Sequence, residues 1–345
     1  MGSAANESLS RLLGSEEAVL ALLAWQQRAG RKLPWRETQD PYRIWVAETI
    51  LQQTRIEQAT PYLERFFGRF PTLEALATSS LDAVLAVWQG LGYYRRAHHL
   101  HQTARLLVER GGWEAYLAGQ DPVARLETLP GIGPYTARAI VVFSGRGAYL
   151  PVDGNVTRVL SRLVGMTVPA SERKKYQALA DELPESWRSR EVAFALMDLA
   201  NQACFPRKPR CVACPLQRFC TAYQQAQPEA YPPKKPRRPR PVRAFRFLLY
   251  ATPQAVWLEK RPEEGLWSGL WCLPMEELPT LRSTPPDFVH ELTHFRLAGY
   301  IERLPSPPPQ ATPILWDRLA ACGLPAPLQR LLTHEAKGHR SPFLG

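Results

Sequence analysis

Cysteines 204, 211, 214 and 220 follow one another as Cys-x6-Cys-x2-Cys-x5-Cys, four thiols within seventeen residues. Thiolates are soft ligands, and four at these separations can close a shell around an iron-sulfur cluster or a zinc ion. Arg207, Lys208, Arg210 and Arg218 stand between them, so either metal would pin a basic loop in place. Disulfide pairing is the weaker alternative. The opening MGSAANESLS lacks a basic stretch followed by an apolar core, so a reducing cytosol is expected and Cys272 and Cys322 are read as free thiols.

Carboxylates offer a second chemistry. Glu48 interrupts the apolar run from Ile44 to Leu51. An ionisable group in such a run is paired, faces solvent, or is kept for reaction; in a desolvated pocket its neutral form is favoured, and it can serve as a general acid near neutral pH. Asp153 lies in Val152-Asp-Gly-Asn-Val156, just before the helical pattern NVTRVLSRL. There the plain alternative is a helix N-cap, which either Asp153 or Asn155 could supply. Further back, Gly131 and Gly133 form a Gly-x-Gly turn directly ahead of an apolar helical stretch ending near Ile140. Backbone N–H groups at such a helix start suit one DNA phosphate and read no sequence.

These residues need elements to hold them. A chain of 345 residues, 45% hydrophobic, is enough for about two packed domains. From about 16 to 223 apolar residues recur at helical spacing with Gly and Pro turns, and no strand series is read there. Residues 228–243, PEAYPPKKPRRPRPVR, are too proline-rich for helix and too charged for core, and read as an extended tether. FRFLLYA, AVWLEKR and HFRLAGYIERL beyond it are β-prone, so the second domain is expected to be α+β, with 305–313 as a loop. No apolar run approaches the ~20 residues of a membrane span.

Charge is placed unevenly. Lys plus Arg outnumber Asp plus Glu by 43 to 32, yet residues 244–345 hold ten of each, so the +11 lies in the first 243. Lys234, Lys235, Arg237, Arg238, Arg240 and Arg243 contribute six of it. A polyanion such as DNA is the natural partner, because each phosphate neutralised releases a condensed counterion.

Taken together, the hairpin and the cysteine spacing resemble the helix-hairpin-helix DNA glycosylases of the endonuclease III superfamily, and from that resemblance comes the identity of the metal, a 4Fe-4S iron-sulfur cluster on Cys204, Cys211, Cys214 and Cys220. Within the superfamily the chain resembles the adenine DNA glycosylases, which remove adenine mispaired with 8-oxoguanine. The likeness rests on Leu33-Pro-Trp-Arg36, on the stretch from Trp45 to Thr54, on Gly90-Leu-Gly-Tyr-Tyr-Arg95, on Val152 to Val156 and on the stretch from Gly265 to Trp271. It covers nearly the whole chain.

The resemblance implies an all-α helix-hairpin-helix domain, residues 1–225, split into a helical barrel (34–147) and a cluster subdomain (1–33 with 148–225). A basic linker (226–243) and a Nudix-like α+β domain (244–345) would follow. Glu48 takes the family's acid position and protonates adenine at N7. Asp153 takes the second carboxylate role, facing or bonding to the oxocarbenium-like sugar, with Asn155 orienting the site. Tyr135 stands where bifunctional relatives carry the lysine that forms a Schiff base, which implies a monofunctional enzyme that leaves an abasic site. Gln53 and Tyr93 would enter the duplex beside the extruded base, and Arg31 and Trp35 would line its pocket.

Two departures stand out. Phe194 occupies a position where the family commonly has Gln or Glu near the adenine. In the second domain the family's Phe-Ser-His loop, which contacts 8-oxoguanine, corresponds to Leu292-Thr293-His294; Thr293 keeps a hydroxyl and His294 a polar ring. The glutamate-rich helix that holds Mg2+ in Nudix hydrolases is missing, so this domain is read as a reader without hydrolase activity. The implied partner is double-stranded DNA with adenine opposite 8-oxoguanine or guanine, met by a cytoplasmic, nucleoid-associated monomer with no membrane contact. A non-catalytic cluster-bearing DNA sensor, a Nudix hydrolase fused to a DNA-binding region, and a lyase acting on oxidised pyrimidines are the rival readings.

Overall fold

The computed structural model describes residues 16–234, 239–262 and 264–339. Helices order the first part: α1 (Glu16–Ala29), α2 (Pro41–Leu51), α3 (Ile56–Arg69), α4 (Leu73–Ala77), α5 (Leu81–Trp88) and α6 (Arg95–Glu109). They continue with α7 (Glu114–Leu117), α8 (Pro122–Glu127), α9 (Pro134–Phe143), α10 (Gly154–Val164), α11 (Arg173–Asp181), α12 (Arg190–Gln202) and α13 (Thr221–Gln224). Strands follow: β1 (Val242–Leu249), β2 (Ala255–Lys260), β3 (Trp271–Cys272), β4 (Met275–Leu278), β5 (Phe288–Glu291), β6 (Arg296–Arg303) and β7 (Thr312–Leu315), closed by α14 (Ala326–His339). The helical-then-α+β order agrees with the sequence reading. Among the described residues no helix is long and apolar enough to cross a membrane.

Local chemistry sets the ends that matter. Asp40 caps α2 by accepting from the Tyr42 N–H at 2.9 Å, with Pro41 in the first turn, where its missing N–H costs nothing. Every residue from Ile44 to Ile50 is buried, so α2 runs through the interior on all sides. α10 stops at Gly165, whose φ of 67° is left-handed; a Cβ there would lie 2.7 Å from the Thr221 side chain.

Packing divides the chain into two compact units, one made of residues up to 52 with 109–236, the other of 53–108 with 237–345. In the first, α9 packs across α2 and α8, α10 against α12 and α13, and α12 against α1. In the second, Phe66, Phe70 and Trp88 cluster between α3 and α5, with ring centroids 5.1 and 6.3 Å from Phe66. Its strands form two sheets, ordered β4-β1-β6-β5 and β3-β2-β7, with β1 and β6 parallel and the other pairs antiparallel. Phe247, Val256, Leu258, Leu297, Leu328 and Leu332 fill the core between the sheets and α14. α5 and α6 belong to this unit: the Tyr94 hydroxyl donates to the Leu324 carbonyl at 2.8 Å, and Lys260 pairs with Asp82 at 2.7 Å.

Two expectations need correction. The loop read over 305–313 ends early, because Thr312 and Pro313 open β7; that strand pairs only with β2, so a proline at its edge leaves no ladder bond unmade. The tether is shorter than 228–243. Pro228–Ala230 form a 3-10 turn tied to the cysteine loop by Glu229, which accepts from the Lys208 N–H at 2.8 Å, and Val242 already opens β1. Lys235, Pro236, Arg237 and Arg238 of the linker, and residues 1–15, lie outside the described residues.

Candidate active site

Glu48 lies within the buried stretch of α2 with 9% exposure, and the hydroxyl of Tyr135, the second residue of α9, donates to its Oε2 at 2.7 Å. Burial is the main force on this carboxyl and raises it to about 7; the Tyr135 hydrogen bond opposes the rise, the Asp153 charge adds to it, and the Arg36 charge opposes it. A group that titrates near neutral pH can hold a proton and release it. Tyr135, enclosed in the same pocket, is raised well above 10, first by burial and then by Glu48, and stays a neutral donor.

Asp153 supplies the helix cap its position offered. Its Oδ1 accepts from the N–H groups of Asn155 (2.9 Å) and Val156 (2.7 Å), capping α10, while its Oδ2 accepts from the Asn155 side-chain amide at 3.0 Å. The cap therefore falls to Asp153 and the orienting contact to Asn155. Asn155 is held in turn by Arg158, whose guanidinium reaches the Asn155 Oδ1 at 3.2 Å and the carbonyls of Cys204 (2.8 Å) and Ala200 (2.9 Å).

The cysteine loop packs over α10. Arg162, 2% exposed, donates to the Cys204 Sγ at 3.2 Å and to the Phe205 and Pro206 carbonyls at 2.7 and 3.2 Å. Burial pushes the free Cys214 and Cys220 thiols up to about 12 and about 11, and the charges of the neighbouring cysteines add to the rise at both. A soft donor set beside a buried guanidinium fits a thiolate-ligated group that carries net negative charge. Among the described residues no three His, Cys, Asp or Glu side chains converge on the position of a single ion, and all six cysteines are free thiols.

Other residues read from the sequence fall as follows. Gly131 takes a left-handed φ of 76°, and a Cβ on Gly133, which precedes α9, would meet nothing within 4 Å, so the hairpin presents an open backbone surface. Arg31 is tied to Asp198 (Nε to Oδ1, 2.7 Å), and Trp35 is half-buried in the 3-10 turn Pro34–Arg36. In the second unit, Gln53 and Tyr93 both adopt left-handed backbones, φ 60° and 49°, unusual for residues with a Cβ. Gln53 is exposed and Tyr93 half exposed, so Tyr93 is not a core residue. Thr293 and His294 occupy the exposed tip of the β5–β6 turn, closed by the Leu292 N–H donating to the Phe295 carbonyl, and the Thr293 hydroxyl lies 3.4 Å from that of Tyr93.

Residues the sequence reading did not single out complete the first unit's site. Arg36 bonds to the fully buried Asp198 at 2.8 Å and lies 4.6 Å over the ring of Phe194, which stacks on Phe143 at 4.4 Å. Asp198 carried a signal: a carboxylate in the run from Val192 to Ala200, which mirrors the interruption that drew attention to Glu48.

Comparison with known proteins gives the following. Residues 46–187 match the family described as HhH-GPD superfamily base excision DNA repair protein, and 246–334 match the NUDIX domain family. The adenine DNA glycosylase of Buchnera aphidicola subsp. Schizaphis graminum is 33% identical over 73% of this chain and 73% of its own length. The adenine DNA glycosylase of Mycobacterium tuberculosis is 38% identical over 62% and 70%. Among solved structures, a thermostable thymine-DNA glycosylase superposes with a TM-score of 0.53 at 25% identity, covering 65% of this chain and all of its own.

Proposed function

Because the chain belongs to the adenine DNA glycosylase family, we propose that it hydrolyses the N-glycosidic bond of adenine in double-stranded DNA, choosing adenine opposite 8-oxoguanine or guanine. The observation that carries this reading is the buried Glu48 carboxyl, raised to about 7, beside a second carboxylate that caps a helix. Two carboxylates divide the labour of glycoside cleavage: one gives a proton to the leaving base, the other faces the positive charge that develops on the sugar.

In this mechanism adenine leaves the stack, Gln53 and Tyr93 fill the space it vacates, and Arg31 and Trp35 line the pocket that receives it. Glu48 passes its proton to adenine N7 as the C1′–N9 bond breaks and its electron pair goes to N9. Asp153, oriented by Asn155, stabilises the resulting sugar cation or bonds to C1′ until water adds there. The water proton goes to a carboxylate, and an abasic site remains. The Tyr135 phenol cannot form an imine, so no strand cleavage by β-elimination follows.

Gly131 and Gly133 would bind a backbone phosphate. Cys204, Cys211, Cys214 and Cys220 would hold a 4Fe-4S cluster, whose part is to order the basic loop that carries Arg207, Lys208, Arg210 and Arg218. Residues 1–225 would form the catalytic domain and 244–345 the domain that reads the opposite base through Thr293 and His294, with the linker confined between the Pro228–Ala230 turn and the start of β1 at Val242.

The test is product analysis on duplexes carrying adenine opposite 8-oxoguanine, adenine opposite guanine, and thymine opposite guanine. The proposal expects strand breaks at adenine only, appearing after alkali, and no borohydride-trapped adduct. Removal of thymine in place of adenine would overturn the substrate; a trapped adduct would overturn the monofunctional chemistry.

A further inference from the structure

The loop between α5 and α6 holds left-handed backbone at Gly90 (φ 93°), Gly92 (φ 68°) and Tyr93 (φ 49°). Glycine takes such a φ freely; tyrosine keeps it only where its surroundings over-determine it. The Trp88 Nε1–H donates to the Gly92 carbonyl at 3.1 Å, and the Arg96 Nη2 donates to the same carbonyl at 3.3 Å and to that of Leu91 at 3.4 Å. The Arg96 backbone N–H donates to the Tyr93 carbonyl at 2.9 Å. Its guanidinium lies 5.3 Å from the Trp88 ring centroid and 5.5 Å from that of Tyr93, within cation–π range of both. The two arginines that open α6 therefore differ. Arg95 is exposed and reaches His99 at 3.4 Å, whereas Arg96 is half-buried and bonds back to the loop. The adjoining tyrosines differ likewise: Tyr94 is buried with its hydroxyl on the Leu324 carbonyl, and Tyr93 is 50% exposed.

We propose that Arg96 is a positioning residue for base extrusion: bonded to the Leu91 and Gly92 carbonyls and drawn to the Tyr93 ring, it fixes that exposed ring in one pose before DNA arrives. This rests on Tyr93 being a residue that fills the gap beside the extruded adenine. A side chain that is ordered only on entering the stack gives up its rotamer freedom at that moment, and the loss weighs against insertion. A ring already held has lost that freedom beforehand. Arginine suits the task because one nitrogen of its planar guanidinium bonds two neighbouring carbonyls while the delocalised charge is attracted to aromatic faces. Lysine would bring the charge without the fork.

The test follows the rate at which 2-aminopurine, placed next to the adenine of an adenine–8-oxoguanine duplex, brightens as it loses its stacking, with single-turnover excision recorded alongside. Arg96→Gln and Tyr93→Ala should each slow both signals by about fivefold or more, and the double variant should be no slower than Tyr93→Ala alone. Arg96→Lys should show a smaller loss with the same non-additivity, and serves if Arg96→Gln does not fold. A merely structural role would lower the thermal midpoint and add its loss to that of Tyr93→Ala. Unchanged unstacking in folded Arg96→Gln or, failing that, in Arg96→Lys overturns the proposal while the Tyr93 assignment stands, as does a loss that adds fully to that of Tyr93→Ala. Wild-type unstacking and excision by Tyr93→Ala would overturn the Tyr93 assignment itself.

Discussion

Between about pH 4.5, where an ordinary glutamate titrates, and about 7, where burial places Glu48, the folded chain holds a proton that the unfolded chain has released. Proton binding is then greater in the folded state, so stability falls as pH rises through that window and is level above it. Glu48→Gln removes this slope. Urea unfolding should find the variant close to wild type at the acid end of the window and more stable by about 3 kcal/mol above it, from roughly 2.5 units at about 1.4 kcal/mol per unit. Parallel pH profiles would mean that Glu48 is ionised in the folded state at neutral pH. Glu48 was legible because one charge in an apolar run is conspicuous. Arg36 and Asp198 were not, since 162 residues separate the partners and only the packing of α12 beside the Pro34–Arg36 turn brings them together. Tyr135 entered through family resemblance alone; its place beside Glu48 needed the fold.

At the scale of elements, the proposed reading asks the side chain that caps α10, Asp153, to serve stability and chemistry at once. Asparagine caps a helix about as well as aspartate, and alanine does not. Asp153→Asn should therefore unfold within a few tenths of a kcal/mol of wild type and Asp153→Ala about 1 kcal/mol lower, while both lose excision because both lose the charge. Thermal unfolding beside a rate assay separates the two roles, and an active Asp153→Asn would reduce Asp153 to its cap. Long amphipathic helices and the strands β1, β2 and β6 showed in the sequence as sustained periodic runs. β3, β4, β5 and β7 did not: they span two to four residues, one of them proline-bearing, too short to display alternation. The left-handed backbones of Gln53 and Tyr93 were also hidden, because neither residue type announces a positive φ.

Over the whole molecule, charge and reading are separated. Residues 244–345 hold equal numbers of acids and bases, and some pair across the strands, Arg246 with Glu276 and Glu302, while Arg243 of the basic excess pairs with Glu277. The division into units was not visible in sequence, where Tyr94 and Leu324 stand 230 residues apart. Their union puts the Thr293 hydroxyl next to Tyr93, and on the proposed reading Thr293 addresses the base opposite the adenine while Tyr93 enters beside the extruded one. Thr293→Ala should then narrow the rate advantage of adenine opposite 8-oxoguanine over adenine opposite guanine under single-turnover conditions; an unchanged ratio would remove this turn from specificity. The most direct measurement of the central claim is single-turnover excision by Glu48→Gln on an adenine–8-oxoguanine duplex, with DNA affinity measured alongside. A general acid supplies about 10²- to 10⁴-fold, so a rate loss in that range with affinity retained is expected, and excision at the wild-type rate would contradict it.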